Sequence, residues 1–123
     1  MAGALVIDDS LALASSVSKA LQQAGYDPVH MATDWAGCRS ALARYVPELV
    51  VLDVEMAGMV NGDVMAMQLR RNPRCSSARF VLYSGLSERD LQVLAKRCAA
   101  DAYLKKGDEA ALVDLCLKLV PLK

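Results

Sequence analysis

Several things are scarce in this chain, and each scarcity closes a door. Charge of one sign is not in excess: 14 Lys plus Arg face 14 Asp plus Glu, which gives no electrostatic reason to expect nucleic acid or an anionic membrane as partner. No apolar run approaches the roughly 18 residues that would cross a bilayer. The N-terminal stretch Ala4-Leu5-Val6-Ile7 is cut off by two aspartates and lacks a basic flank, so it does not read as a secretory signal, and a cytosolic location is expected. Histidine occurs once, at His30, in the short run Pro28 to Met31, without ligand-like neighbours. The cysteines, Cys38, Cys75, Cys98 and Cys116, are scattered without a CxxC pair, so a zinc site is not expected. Three of them fall at apolar helical positions and read as small buried hydrophobes in a reducing compartment. Aromatics are few, and there is no linker, internal repeat or low-complexity tract, so residues 1–123 read as one domain with no output domain attached. A chain of this length buries roughly two thirds of its unfolded surface.

What is present is organised around Leu49-Val50-Val51-Leu52-Asp53, an aliphatic run that ends on a carboxylate. Short unbroken apolar runs suit strands buried on both faces, as in a parallel sheet. Ala4 to Ile7 is a second such run, ending on Asp8-Asp9, and Ser10 can cap a following helix with Leu13, Val17, Leu21 and Ala24 inward and Gly25 at its end. Val29-His30-Met31 is a short, polar strand suited to a sheet edge. Thr33 or Asp34 can cap the second helix, with Cys38, Ala41, Leu42 and Tyr45 inward. Asn61 or Asp63 opens the third, with Met65, Ala66 and Leu69 inward. Phe80 to Tyr83 forms a strand ending on Ser84-Gly85, and Ser87 with Asp90 marks the start of a helix carrying Leu91, Leu94, Ala95 and Cys98. Ala102 to Lys105 runs into Lys106-Gly107, and Asp108 caps a last helix with Leu112, Leu115, Cys116 and Leu119 inward. Strand and helix alternate five times. Strands separated by helices pair in parallel through right-handed crossovers. The expected fold is α/β, a doubly wound five-stranded parallel sheet of order 2-1-3-4-5 in a flavodoxin-like three-layer sandwich.

All parallel strands point one way, so Asp8, Asp9, Asp53, Ser84 and Lys106 gather at one edge, with the three acids where the first and third strands are neighbours. At about 4 Å two carboxylates repel by about 4 kcal/mol at an effective dielectric near 20. A hard divalent cation with oxygen ligands, Mg²⁺ or Mn²⁺, would relieve this crowding, and Lys106 adds a further positive charge. A carboxylate so placed is equipped for phosphoryl transfer. Asp53 would attack phosphorus, Lys106 would neutralise the transferring oxygens, Ser84 would donate a hydrogen bond to one of them, and Gly85 would leave the approach open.

Four blocks carry a family resemblance over essentially the whole chain: LVIDDS with Asp8-Asp9, LVVLDVEM with Asp53, FVLYSG with Ser84, and DAYLKKG with Lys106. The sequence resembles the receiver domain of bacterial response regulators, the CheY-like family. The resemblance implies a phosphorylation switch in a two-component phosphorelay. A histidine kinase or histidine phosphotransfer protein would donate to Asp53, with Mg²⁺ held by Asp9, Asp53 and the backbone carbonyl of Glu55, and Asp8 acting through water. Ser84 and Tyr103 would form the switch pair. Of the adjacent Lys105 and Lys106, the spacing from Tyr103 selects Lys106. Two departures stand out: Gly107 occupies the place where the family usually has proline, and the loop Met56 to Gly62 is one residue longer than usual and lacks its proline. Glu55, two past Asp53, is expected to alter the lifetime of the phosphoryl group.

The final helix carries a second apolar stripe, Val113, Leu117 and Val120, which fits either a broad core contact or an interaction surface. The resemblance favours dimerisation or partner docking on the surface of the fourth helix, fifth strand and fifth helix, rimmed by Arg89, Lys96 and Asp114. Two alternatives compete. A phosphorylation-independent pseudo-receiver would not need the acids, Ser84 and Lys106 together. A Mg²⁺-dependent phosphohydrolase of the haloacid dehalogenase type needs a second Asp where Glu55 stands. No turnover of an external substrate is expected.

Overall fold

The structure, a computed structural model, describes residues 2–55 and 62–122, and among these the side chains of all but 62–65. Strands and helices alternate in the order β1 (Ala4–Ile7), α1 (Leu11–Ala24), β2 (Val29–Ala32), α2 (Trp35–Leu42), β3 (Leu49–Leu52), α3 (Gly62–Arg71), β4 (Arg79–Ser84), α4 (Glu88–Arg97), β5 (Ala102–Lys105) and α5 (Glu109–Leu119). The five strands form one parallel sheet of order β2-β1-β3-β4-β5, the flavodoxin-like topology expected from the alternation. The register aligns Ile7, Leu52 and Leu82 in one row. The residues that follow the first two, Asp8 and Asp53, are therefore neighbours.

Alternation along the strands divides the core in two. Leu5, Ile7, Val50, Leu52, Phe80 and Leu82 pack with Cys38 and Leu42 of α2, Leu69 of α3, and Leu91 and Ala95 of α4. The opposite parity, Ala4, Val6, Leu49, Val51, Val81 and Tyr83, packs with Val17 and Leu21 of α1 and Leu112 and Cys116 of α5. Both faces of the sheet are thus covered, which is why β1 and β3 carry no polar residue.

Local signals place the helix ends. The side chains of Ser10, Asp34, Ser87 and Asp108 accept from the N–H groups of Leu13, Gly37, Asp90 and Ala111, satisfying donors that a helix start leaves unpaired. Gly25 closes α1 at φ +117°, with its N–H donating to Leu21 and Gln22 carbonyls. That conformation suits glycine because it has no Cβ to clash.

Some expectations need correction. Leu13 is exposed, because the face of α1 that meets the sheet is Ala14, Val17, Ser18 and Leu21, and Leu13 lies at the edge of that stripe. Tyr45 lies beyond the end of α2 and reaches inward from the connection, its hydroxyl donating to the Ala4 carbonyl at 2.6 Å. Helix α3 begins at Gly62, so Asp63 is inside it rather than its cap. Asn61 and the expected loop Met56 to Val60 lie outside the described residues, as does the side chain of Met65. All four cysteines are buried, Cys75 included, although it sits in a turn rather than a helix. Val120, which caps the end of α5, is buried, while Val113 and Leu117 of the helix pack partly against the same cluster as Leu112 and Cys116. The wide apolar arc of that helix is in large part a core contact.

Candidate functional site

The carboxyl edge of the sheet brings together residues from three strand ends. Asp8 and Asp53 are nearly buried, and each divides its oxygens in the same way. Asp8 Oδ1 accepts the N–H of Ser10 at 3.0 Å, and Asp53 Oδ1 accepts the N–H of Glu55 at 2.9 Å. The two Oδ2 atoms face Lys106, whose Nζ lies 2.7 Å from that of Asp8 and 2.9 Å from that of Asp53. Asp9, exposed at the rim, completes a set of three carboxylates, one oxygen from each lying within 4.8 Å of the others.

Three carboxylates crowd this edge, and the ammonium of Lys106 bridges two of them. Two unit charges 4.8 Å apart repel by about 3.5 kcal/mol at an effective dielectric near 20. The cluster therefore favours added positive charge. Its donors are all oxygen, the set preferred by a hard divalent cation, so the residues present fit Mg²⁺. Lys106 responds to the same field. Burial opposes its charge, but the hydrogen bonds to Asp8 and Asp53, reinforced by their negative charge, outweigh burial and raise its pKa above the ordinary lysine value.

Strand parity explains why Lys106 and not Lys105 reaches the acids. Leu104 lies on the α1 and α5 side of the sheet, as do Val6 and Val51, and Lys106 repeats that parity two residues on. Its N–H extends the β4–β5 ladder by one bond, to the Ser84 carbonyl at 2.8 Å. Lys105 is exposed.

The other expected residues are held by contacts of their own. Ser84 is fully buried at the end of β4, and its Oγ accepts from the N–H of Leu86 at 3.4 Å. Tyr103 is half-buried on the opposite parity, against α4, in a groove shared with Gln92, Ala95 and Lys96. Glu55 directs its carboxylate toward Gly85: a Cβ on that glycine would meet Glu55 Oε2 at 3.3 Å. The space that Gly85 leaves open thus has an acid at its margin.

One feature of the site escaped the sequence reading. Gly107, immediately after the bridging lysine, has φ +131° and donates its N–H to the Tyr83 hydroxyl at 3.2 Å. The only sequence signal for it was a hydroxyl-bearing ring directly before Ser84.

Comparison with known proteins agrees with this architecture. The response regulator receiver domain matches residues 4–116. The DNA-binding dual master transcriptional regulator RpaA of Synechocystis is 31% identical over 102 residues, covering 83% of this chain and 42% of that protein. The chain spans less than half the length of the curated relatives it matches. Among solved structures, the chemotaxis protein CheY4 of Vibrio cholerae superposes with a TM-score of 0.86 at 22% identity, covering 98% of this chain and 99% of that one. A response regulator from Burkholderia pseudomallei, solved with a phosphorylated aspartic acid, a calcium ion and citrate, gives a TM-score of 0.81 at 22% identity over 98% of this chain and 66% of that one. With its five parallel strands, its acids and bridging lysine at one edge, and a match over nearly its whole length, the chain belongs to the response regulator receiver domain family.

Proposed function

We propose that Asp53 is the phosphoacceptor of this receiver, taking a phosphoryl group from the phosphohistidine of a histidine kinase or a histidine phosphotransfer protein. The observation that carries the reading is the ammonium of Lys106 shared between Asp8 and Asp53, with Asp9 beside them. A carboxylate oxygen of Asp53 attacks phosphorus, the P–N bond to the donor imidazole breaks, and an aspartyl phosphate forms. Hydrolysis returns the carboxylate and inorganic phosphate. Asp9, Asp53 and the backbone carbonyl of Glu55 would hold Mg²⁺, with Asp8 joining through water. When bound, the ion neutralises charge on the transferring oxygens. Lys106 lies within reach of Asp53 and supplies a second positive charge to the same oxygens.

Ser84 then turns its hydroxyl from Leu86 to the phosphoryl group, and Tyr103 moves inward behind it. The consequence is read on the α4-β5-α5 surface by a downstream protein or output domain, or by a second copy of the chain. Residues 1–123 act in this reading as one receiver unit, working in the cytosol and without direct nucleic-acid contact. Glu55, placed beside Gly85, tunes how fast water reaches the phosphoryl group.

Incubation with acetyl phosphate and Mg²⁺ tests the core of the reading. An acid-stable, base-labile adduct should form and should disappear in Asp53→Asn. No adduct on the unaltered chain, or one that persists in Asp53→Asn, would refute it; the first result would favour a phosphorylation-independent binding module.

A further inference from the structure

We infer that Tyr83 is a positioning residue for phosphoryl transfer, holding Lys106 toward Asp53 by fixing the backbone of Gly107. The inference rests on the phosphoacceptor reading and goes beyond it.

Lys106 is delivered to the acids from just beyond the end of β5, so its aim depends on the backbone there. The next residue is a glycine at φ +131°, with nothing within 4 Å of where a Cβ would stand. Glycine is therefore required by the backbone conformation and not by crowding. It is also the residue that restrains its own backbone least, so the conformation must be held from outside. Two consecutive amides do this, both tied to β4. Lys106 N–H donates to the Ser84 carbonyl at 2.8 Å, and Gly107 N–H donates to the Tyr83 hydroxyl at 3.2 Å.

The first of these bonds is made by backbone and would survive any side chain at either position. The second depends on the phenol. Tyr83 is 5% exposed, its ring packed in the cluster that includes Leu112, Val81 and Val6, so the hydroxyl is carried on a rigid support. Tyr83 also lines a cleft with Leu13, Lys106, Gly107 and Glu109. Phenylalanine would fill the core as well as tyrosine does, so core packing does not account for the oxygen. A proline at 107 has no N–H and could not use it. Without the bond, Gly107 is free to rotate, and the lysine before it loses its fixed direction.

Tyr83→Phe separates positioning from packing. The variant should fold with an unchanged far-ultraviolet spectrum. Its maximal rate of phosphorylation by acetyl phosphate at saturating Mg²⁺ should fall about threefold to tenfold, the loss expected from one hydrogen bond, with the half-saturating acetyl phosphate concentration unchanged. Nuclear magnetic resonance supplies a readout independent of activity: the Gly107 amide should exchange faster in the variant, and the Lys106 ammonium signal, sheltered by two carboxylates, should weaken. A variant with the wild-type rate, or with an unchanged Lys106 signal, overturns the inference alone. A wild-type chain that takes up no phosphoryl group overturns the phosphoacceptor reading and this inference with it.

Discussion

Replacing Lys106 with methionine keeps most of the side chain's length and removes its charge. In the wild-type chain the ammonium sits 2.7 Å from Asp8 and 2.9 Å from Asp53, whose side chains are only 7% and 5% exposed. Without it, two nearly buried carboxylates face each other and Asp9 across no more than 4.8 Å. Each such repulsion is about 3.5 kcal/mol at an effective dielectric near 20. Removing one partner from a buried ion pair costs about 3 to 5 kcal/mol. The lysine side chain is itself 20% exposed, so water can enter and the lower end, about 3 kcal/mol, is the appropriate expectation. Domains of this kind are stable by about 5 to 15 kcal/mol in all, so the loss is large. In urea denaturation with EDTA present, a slope of about 2 kcal/mol per molar puts the midpoint about 1.5 M lower. Added Mg²⁺ stabilises a chain that binds it by about 2.7 kcal/mol at a hundredfold excess over that chain's dissociation constant, and at one fixed Mg²⁺ concentration the gain should be larger for the variant, whose acids have lost the ammonium, than for the wild-type chain. An unchanged midpoint in EDTA would refute the electrostatic account of this edge. A variant whose midpoint ignores Mg²⁺ would refute its cation-binding role.

Two further predictions concern the rest of the fold. Burial pushes the thiols of Cys38 and Cys116 up to about 12 and that of Cys75 up to about 11, so each stays neutral in the fold while the unfolded chain ionises from its ordinary value near 9.0. Their contribution is fully present below that ordinary value and is lost as pH rises through the folded values. By pH 10 the loss is about 1.4 kcal/mol per thiol, so the urea midpoint measured under reducing conditions should fall between pH 8 and pH 10, and Cys116→Ala should lose less over that interval than wild type. In the second prediction, Gly25→Ala meets two obstacles: φ is +117°, and the added Cβ would lie 2.8 Å from Leu122 Cδ1. A thermal melt should show a loss of about 1 to 2 kcal/mol from the backbone alone. Leu122→Ala in the same background should relieve the contact but leave that backbone cost.

The sequence by itself determined the sheet, its order and the edge where the chemistry-bearing residues collect. Unbroken apolar runs such as Leu49 to Leu52 state burial on both faces, and helices between them leave only parallel pairing, so acids placed directly after β1 and β3 must be neighbours. Helix caps were legible for the same reason, because Ser10, Asp34, Ser87 and Asp108 act on amides three residues away. Periodicity was less decisive where an apolar residue sat beside the stripe, as Leu13 does, since only the angle at which α1 meets the sheet fixes which face is covered. The tertiary structure alone decided the contacts that join distant residues. The bond from Gly107 to Tyr83 spans 24 positions, and Lys106 meets Asp8 across 98. Such contacts depend on strand register, on the pleat and on the direction of single side chains. Those are settled only when the whole sheet has assembled, and local spacing carries no record of them.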